Sequence, residues 1–300
     1  MDLFQKIRND WENDVKPIIE DVYTSIEQMI DGKDGSIMFQ RHAPTDLYTK
    51  IYKLTTDYQF DFRHIDYLYS QEILSIVVFC HRFRIENSLQ EMNQHFHGFH
   101  MLVQWFQCFF HHLNRFRQRA YSKTLSVGHD MALSIRNHYI HPQTQKIQTL
   151  IKKAWNDIRA NEYKKDKDLV EAMNILWCFD PSFYEQLFFL YLQDLQDKAG
   201  QWFLQEPSIS YMEKVVCCFS KEEQMFLDCF ENYYERQDQV SNILKKMLVY
   251  PFHQDLLHHA SCGWKALLRS HNISHIKTAY GFFSHVEDSS LWSVLYQEFL

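Results

Sequence analysis

Apolar residues recur in steps of three and four from the start of the chain, at Phe4, Ile7, Trp11, Val15, Ile18, Val22, Ile26 and Ile30. At 3.6 residues per turn this spacing lines one face of a helix. Pro17 interrupts the run and is expected to kink or divide it, because proline lacks an N–H and its ring presses on the preceding turn. Asp31-Gly32-Lys33-Asp34-Gly35 is the clearest breaker in the chain. Pro44 fits the first turn of a next helix carrying Leu47, Tyr48, Ile51 and Tyr52. A helix over 70–84 comes next. Ile76-Val77-Val78-Phe79 has the composition of a strand, but a lone strand among helices has nothing to pair with.

Further helices are predicted over 88–120, 126–160, 167–178, 181–204, 209–232, 236–250, 253–269 and 272–299. Gly128, Asp180-Pro181, Glu206-Pro207 and Tyr250-Pro251 are the start and stop signals. Within the first of these helices, Leu102, Trp105, Phe106, Phe109, Leu113 and Phe116 form one stripe, and Val103 and Phe110 widen it to more than half the girth. Helical patterns of similar length succeed one another without a Gly/Ser linker or a shift in composition. That suits a helical repeat array, an elongated stack in which each bundle rests on the next, better than two independent globules; periodicity alone predicts an all-α fold, elongated or bundled.

Composition strengthens this picture. Gly (7) and Pro (6) are scarce and aromatics reach 16%, which means few turns and many large side chains to bury. A net charge of −7 argues against nucleic acid or an anionic membrane as partner, and apolar runs such as Ile76 to Cys80 are far too short to span a bilayer. Seven cysteines without framework spacing suggest reduced thiols and a cytoplasmic or nuclear protein.

Candidate chemistry adds little. No phosphate loop, HExxH or GxSxG occurs. His95, His97 and His100, and the adjacent pairs His111-His112 and His258-His259, point in divergent directions on a helix, so surface or core-edge histidines are expected and no metal or other cofactor. Cys217-Cys218 read as small core residues. Tyr48 and Tyr52 share a helical face beside Leu47 and Ile51. They can pack between helices or offer a partner large contact area at low entropic cost.

The segment Phe109-Phe110-His111-His112-Leu113-Asn114-Arg115-Phe116 resembles the closing helix of the first repeat in cullins, the scaffolds of multisubunit ubiquitin ligases. Other pieces resemble the family in the same order. Trp11 and its amphipathic helix look like the family's start, and Leu47-Tyr48-Thr49-Lys50-Ile51-Tyr52 is similar to its Leu-Tyr-x-x-Ile/Val-Tyr motif. Phe183-Tyr184-Glu185 with Phe188, Phe189 and Leu192-Gln193-Asp194 resembles its second repeat. Trp202-Phe203-Leu204-Gln205-Glu206 and Tyr211-Met212-Glu213-Lys214 look like the later motifs of that repeat. Leu256-Leu257, Ser261-Cys262-Gly263-Trp264-Lys265-Ala266-Leu267-Leu268-Arg269 and Tyr280 resemble the opening of the third repeat, closest to plant members.

The resemblance implies repeats over 1–125 and 126–250 and a partial third over 251–300. It implies a non-enzymatic scaffold in ubiquitin-dependent degradation whose first repeat binds a BTB/POZ-fold, Skp-type adaptor with its F-box proteins. Helices around 42–56 and 103–116 would form the interface, with Tyr48, Ile51, Tyr52, His112 and Arg115 as adaptor-binding residues; one of the two tyrosines is expected to face inward. The sequence departs from the family at Pro44-Thr45, where a large apolar pair usually stands, which trims contact area. After Leu192-Gln193-Asp194 it is shorter by about four residues, close to one helical turn, so the buried face can be kept. It also stops at Leu300, before the family's RING-docking and modifier-accepting region. Direct RING binding is therefore not expected, and the reading is of a non-catalytic or dominant-negative form. The alternatives are a vesicle-tethering rod of the exocyst kind and a ligase whose RING is supplied in trans by a partner.

Overall fold

The structure, a computed structural model, describes residues 3–32, 43–57, 62–120, 126–161, 163–205, 208–230, 237–259 and 263–286. Among the described residues every regular element is helical, including the 76–79 run with strand composition. The chain forms two compact units. One comprises Met1–Ile151 with Cys178–Asp180, the other Lys152–Trp177 with Pro181–Leu300. The repeat boundaries expected at 125/126 and 250/251 divide a family pattern; these units divide the packing.

In the first unit, α1 (Leu3–Asp10) runs through a π-helical turn at Trp11–Val15 into α2 (Lys16–Ile30). The Lys16 N–H bonds to the Trp11 carbonyl, five residues back. The wide turn admits Pro17 in the first turn of α2, where its missing N–H and bulky ring would otherwise break the ladder. The predicted divide is thus absorbed as a bulge. The extra residue rotates the apolar face, so the core takes Ile19 instead of the expected Ile18, while Ile7, Trp11, Val15, Val22, Ile26 and Ile30 are buried as the spacing predicts.

Then come α3 (Ala43–Asp57), α4 (Phe62–Cys80), α5 (Leu89–Phe109), α6 (His111–Ala120) and α7 (Val127–Ile135), the last followed by a π turn at Arg136–Ile140. Ser88 caps α5 by accepting a hydrogen bond from the Glu91 N–H (3.1 Å), and Glu91 in turn accepts from the N–H groups of Glu86 and Asn87. α2 packs along α5, α4 and α7 pack together, and α3 lies on α5 and α6. Between them Tyr23, Phe79, Phe83, Phe96, Phe99 and Tyr139 meet in a continuous cluster of ring contacts.

The predicted helix over 88–120 breaks at Phe110. Phe109 and Phe110 are both buried, yet successive residues of a straight helix point about 100° apart. The bend reconciles them: Phe110 stacks on Phe106 (5.7 Å between ring centroids) and reaches Trp11 (6.3 Å).

In the second unit, the end of α8 (Thr144–Ala160) meets α9 (Lys167–Phe179), α10 (Pro181–Gln205) and α11 (Ser208–Phe230). Asp180-Pro181 starts α10 as predicted. Beyond them lie α12 (Gln237–Leu244), α13 (His253–Leu257), α14 (Trp264–Ser270) and α15 (Ile273–Phe283). The helix expected over 253–269 is two short ones, and most of the expected end, 287–300, lies outside the described residues, as does Glu206-Pro207. Trp155, Tyr184, Phe188, Tyr191, Phe226 and Phe230 fill the core.

One buried ionic cluster crosses that core. Glu222 is 0% exposed. Its Oε1 accepts from Arg159 Nε (2.7 Å) and the Tyr163 hydroxyl (2.6 Å), and its Oε2 from an Arg159 terminal nitrogen (3.2 Å) and the Tyr191 hydroxyl (2.6 Å). Arg159 also bonds Asp194 (2.7 Å), to which Lys198 is paired. Burial opposes the Arg159 charge, but the Glu222 carboxylate and its hydrogen bonds outweigh it and hold Arg159 protonated more firmly than usual.

Candidate functional site

The predicted site residues fall on two neighbouring helices of the first unit. Leu47, Ile51 and Leu54 take the inward face of α3. Tyr48 and Tyr52 lie about 100° further round and both reach solvent, at 37% and 41% exposure. The expectation that one of them faces inward is therefore overturned. The inward positions are already filled by the aliphatic residues beside them. Ile51, 2% exposed, is corrected in turn: it seats α3 on the core and has no surface to give a partner.

α6 brings His112 onto the two tyrosines. Its ring stands edge-on to Tyr52 (4.5 Å) and tilted against Tyr48 (5.6 Å), and the tyrosines themselves run nearly parallel (6.4 Å). Partial burial, then the nearness of His111 and Arg115, lowers the His112 pKa from its ordinary value and favours the neutral ring. Arg115, one turn on, is exposed. Tyr48, Tyr52, His112 and Arg115 thus stand on one side of the α3–α6 pair, as an aromatic centre with a cationic edge.

Next to Tyr48 an open groove of about 630 Å³ is lined by Thr45, Tyr48, Trp105, Gln107, Cys108, Phe109 and His111. The sequence pattern assigns Trp105 to the core with its stripe. Leu102, Phe106, Phe109 and Leu113 are indeed buried, but Trp105 is only half-buried and leans on Phe109 (5.6 Å); the Phe116 side chain lies outside the described residues. The readable signal for the groove was Thr45, a small residue where α3 passes the end of α5. Gln107 lies directly against Gly128, where any side chain would collide with it. The predicted start signal at Gly128 is a close approach inside the first turn of α7, and Ser126 is the cap.

Elsewhere the side chains read as structural. His95 is buried and hydrogen-bonded to the Tyr139 hydroxyl (2.6 Å). Cys218 is buried and its thiol is pushed up to about 12 by burial, whereas Cys217 is exposed, contrary to the expectation of two core cysteines. Among the described residues no group of three or more His, Cys, Asp or Glu could hold a metal ion. No helix among them is long and apolar enough to cross a membrane.

Comparison with known proteins adds one finding. The family model described as the Cullin alpha solenoid domain matches residues 2–298. No curated protein matches the chain.

Proposed function

The chain belongs to the cullin family, and from that premise we propose that the α3–α6 surface of its first unit binds a BTB/POZ-fold adaptor of the Skp type and, through it, F-box proteins. At the family level the protein is a scaffold in the setting of ubiquitin ligases, working through protein–protein contacts. The finer reading rests on the cluster of Tyr48, Tyr52 and His112: three rings in mutual contact on an exposed face, with the cationic Arg115 beside them. Aromatic anchors with a polar rim are the make-up of a protein-binding hot spot. The chain's own part is to hold partners in place and to do no chemistry, in the cytoplasm or nucleus where its thiols stay reduced. The family match leaves the vesicle-tethering alternative without support.

The test is retention of a purified Skp-type adaptor on the immobilised protein. The wild type should retain it, and Tyr48→Ala should weaken binding on the order of tenfold, or about 1–2 kcal/mol. An adaptor absent from the wild-type eluate rules this function out.

A further inference from the structure

In the second unit, the turn joining α8 to α9 is held at several points. The Tyr163 N–H donates to the Ile158 carbonyl (2.8 Å) and its hydroxyl to Glu222 (2.6 Å), while Lys221 stands over its ring (5.5 Å). Lys165 is paired with Asp228 of α11 (2.9 Å). A cavity of about 260 Å³ is lined by residues of this turn and of α8, α9 and α11, and its aliphatic members are Ile158, Leu169, Val170 and Met225. Ile158, Leu169 and Met225 are buried parts of the core, so the apolar lining is in place before any ligand arrives. An open depression adjoins it, sharing Ile158, Lys165 and Asp166 and adding Lys164 and Lys167. Of the acids lining the two, Asp166 accepts from the N–H groups of Asp168 and Leu169 (2.9 and 3.2 Å) and Asp228 holds Lys165, which leaves Asp157. Lys164, Lys167 and Lys221 are exposed, and no carboxylate among the described residues pairs with them.

We propose that this is a docking site for a short acidic segment of a partner protein. The segment seats one bulky apolar side chain among Ile158, Leu169, Val170 and Met225 and sets its carboxylates against Lys164, Lys167 and Lys221. The buried aliphatic lining selects the apolar side chain, which a phosphate or a nucleic-acid backbone does not supply. The lysines select the acids beside it. Salt screens charges beyond about 8 Å at physiological ionic strength, so the few carboxylates of a short segment feel these lysines more than the chain's net charge of −7. A long polyanion would run past them onto the acidic remainder of the chain. Because Tyr163 already fixes the turn, little backbone ordering opposes binding. The site's residues belong to the second unit and include none of the α3–α6 surface, so it stands whether or not that surface binds an adaptor.

Fluorescence polarisation with the full chain tests this, using a labelled peptide of glutamates and aspartates around one central leucine. The wild type should bind it, and more weakly as salt rises. Replacing the leucine by alanine should weaken binding on the order of tenfold; the change is in the peptide, so no folding defect can mimic it. Lys164→Glu combined with Lys167→Glu should abolish binding without changing thermal melting, because both side chains are exposed. Ser220→Trp, at an exposed position of the cavity lining, should make the leucine and alanine peptides bind alike, while Ser220→Ala keeps the preference for leucine. A wild type that ignores the leucine peptide, or binds the alanine peptide as tightly, overturns the docking site. A leucine preference that survives Ser220→Trp places the anchor elsewhere and overturns it too. So does a single-stranded oligonucleotide that displaces the peptide at lower concentration than unlabelled peptide does, since the lysines would then serve a polyanion.

Discussion

At the scale of single residues, spacing told which positions share a face but not which of two adjoining faces meets solvent. Tyr48 and Ile51 show the limit. Both belong to the same i, i+3, i+4 pattern, and only the packing of α3 on α5 and α6 sends Ile51 inward and Tyr48 out. Glu222 was invisible for a different reason. Nothing local distinguishes it from the other acids of α11, because its partners come from 31, 59 and 63 residues away. Once assembled, its four accepting positions are matched by four donors, and Tyr163 holds a left-handed backbone (φ 62°) with its hydroxyl on Glu222. Removing the carboxylate leaves Arg159 buried with only Asp194 to balance it. Glu222→Ala should therefore cost about 3–5 kcal/mol, read as a lower urea midpoint for the full chain. A midpoint within error of the wild type would mean that the cluster contributes nothing net.

Helices were the most legible level, since apolar spacing and breakers placed most of them within a few residues. What the pattern could not show were departures from a regular helix that leave the spacing almost unchanged. The π turn before Pro17 moves burial from Ile18 to Ile19, and the bend at Phe110 buries two successive phenylalanines; neither carries a glycine as a marker. Helix-to-helix distance was hidden as well. Gly98 of α5 faces α2 so closely that a Cβ there would lie 2.5 Å from Ile30 Cδ1 and 3.2 Å from Ile26 Cγ2. Gly98→Ala gains up to about 1 kcal/mol of helix propensity, but the overpacking costs about 1–3 kcal/mol. A net loss of about 1–2 kcal/mol is expected, and adding Ile30→Val, which removes the terminal methyl, should recover part of it. A single Gly98→Ala that melts at or above the wild-type temperature would show that α2 and α5 separate freely.

For the whole molecule, composition and resemblance gave the class and the family, but the ionisation of its many histidines depends on burial that no sequence pattern supplies. Both units hold imidazoles pressed towards neutrality, His112 at the surface and one more deeply buried ring in each unit. In the first, burial lowers the His95 pKa against the opposing pull of Glu91 and Asp31. The ring shares a hydrogen bond with the hydroxyl of Tyr139 (2.6 Å), whose own pKa is raised by burial. In the second, burial and then the nearness of Lys245 lower His285, against Glu223, and its ring stacks on Phe219 at 4.2 Å. Folded values below the unfolded value of about 6.5 mean that the unfolded chain binds more protons through this window. Stability from these groups is thus complete above about pH 6.5 and is lost as pH falls through the folded values. Melting temperatures taken from pH 7.5 down to 5.5 should decline below about pH 6.5. His95→Gln with His285→Phe keeps a polar partner for Tyr139 and a ring on Phe219 while removing both titrations, so its decline should be shallower. A decline as steep as that of the wild type would place the proton-linked loss on other groups.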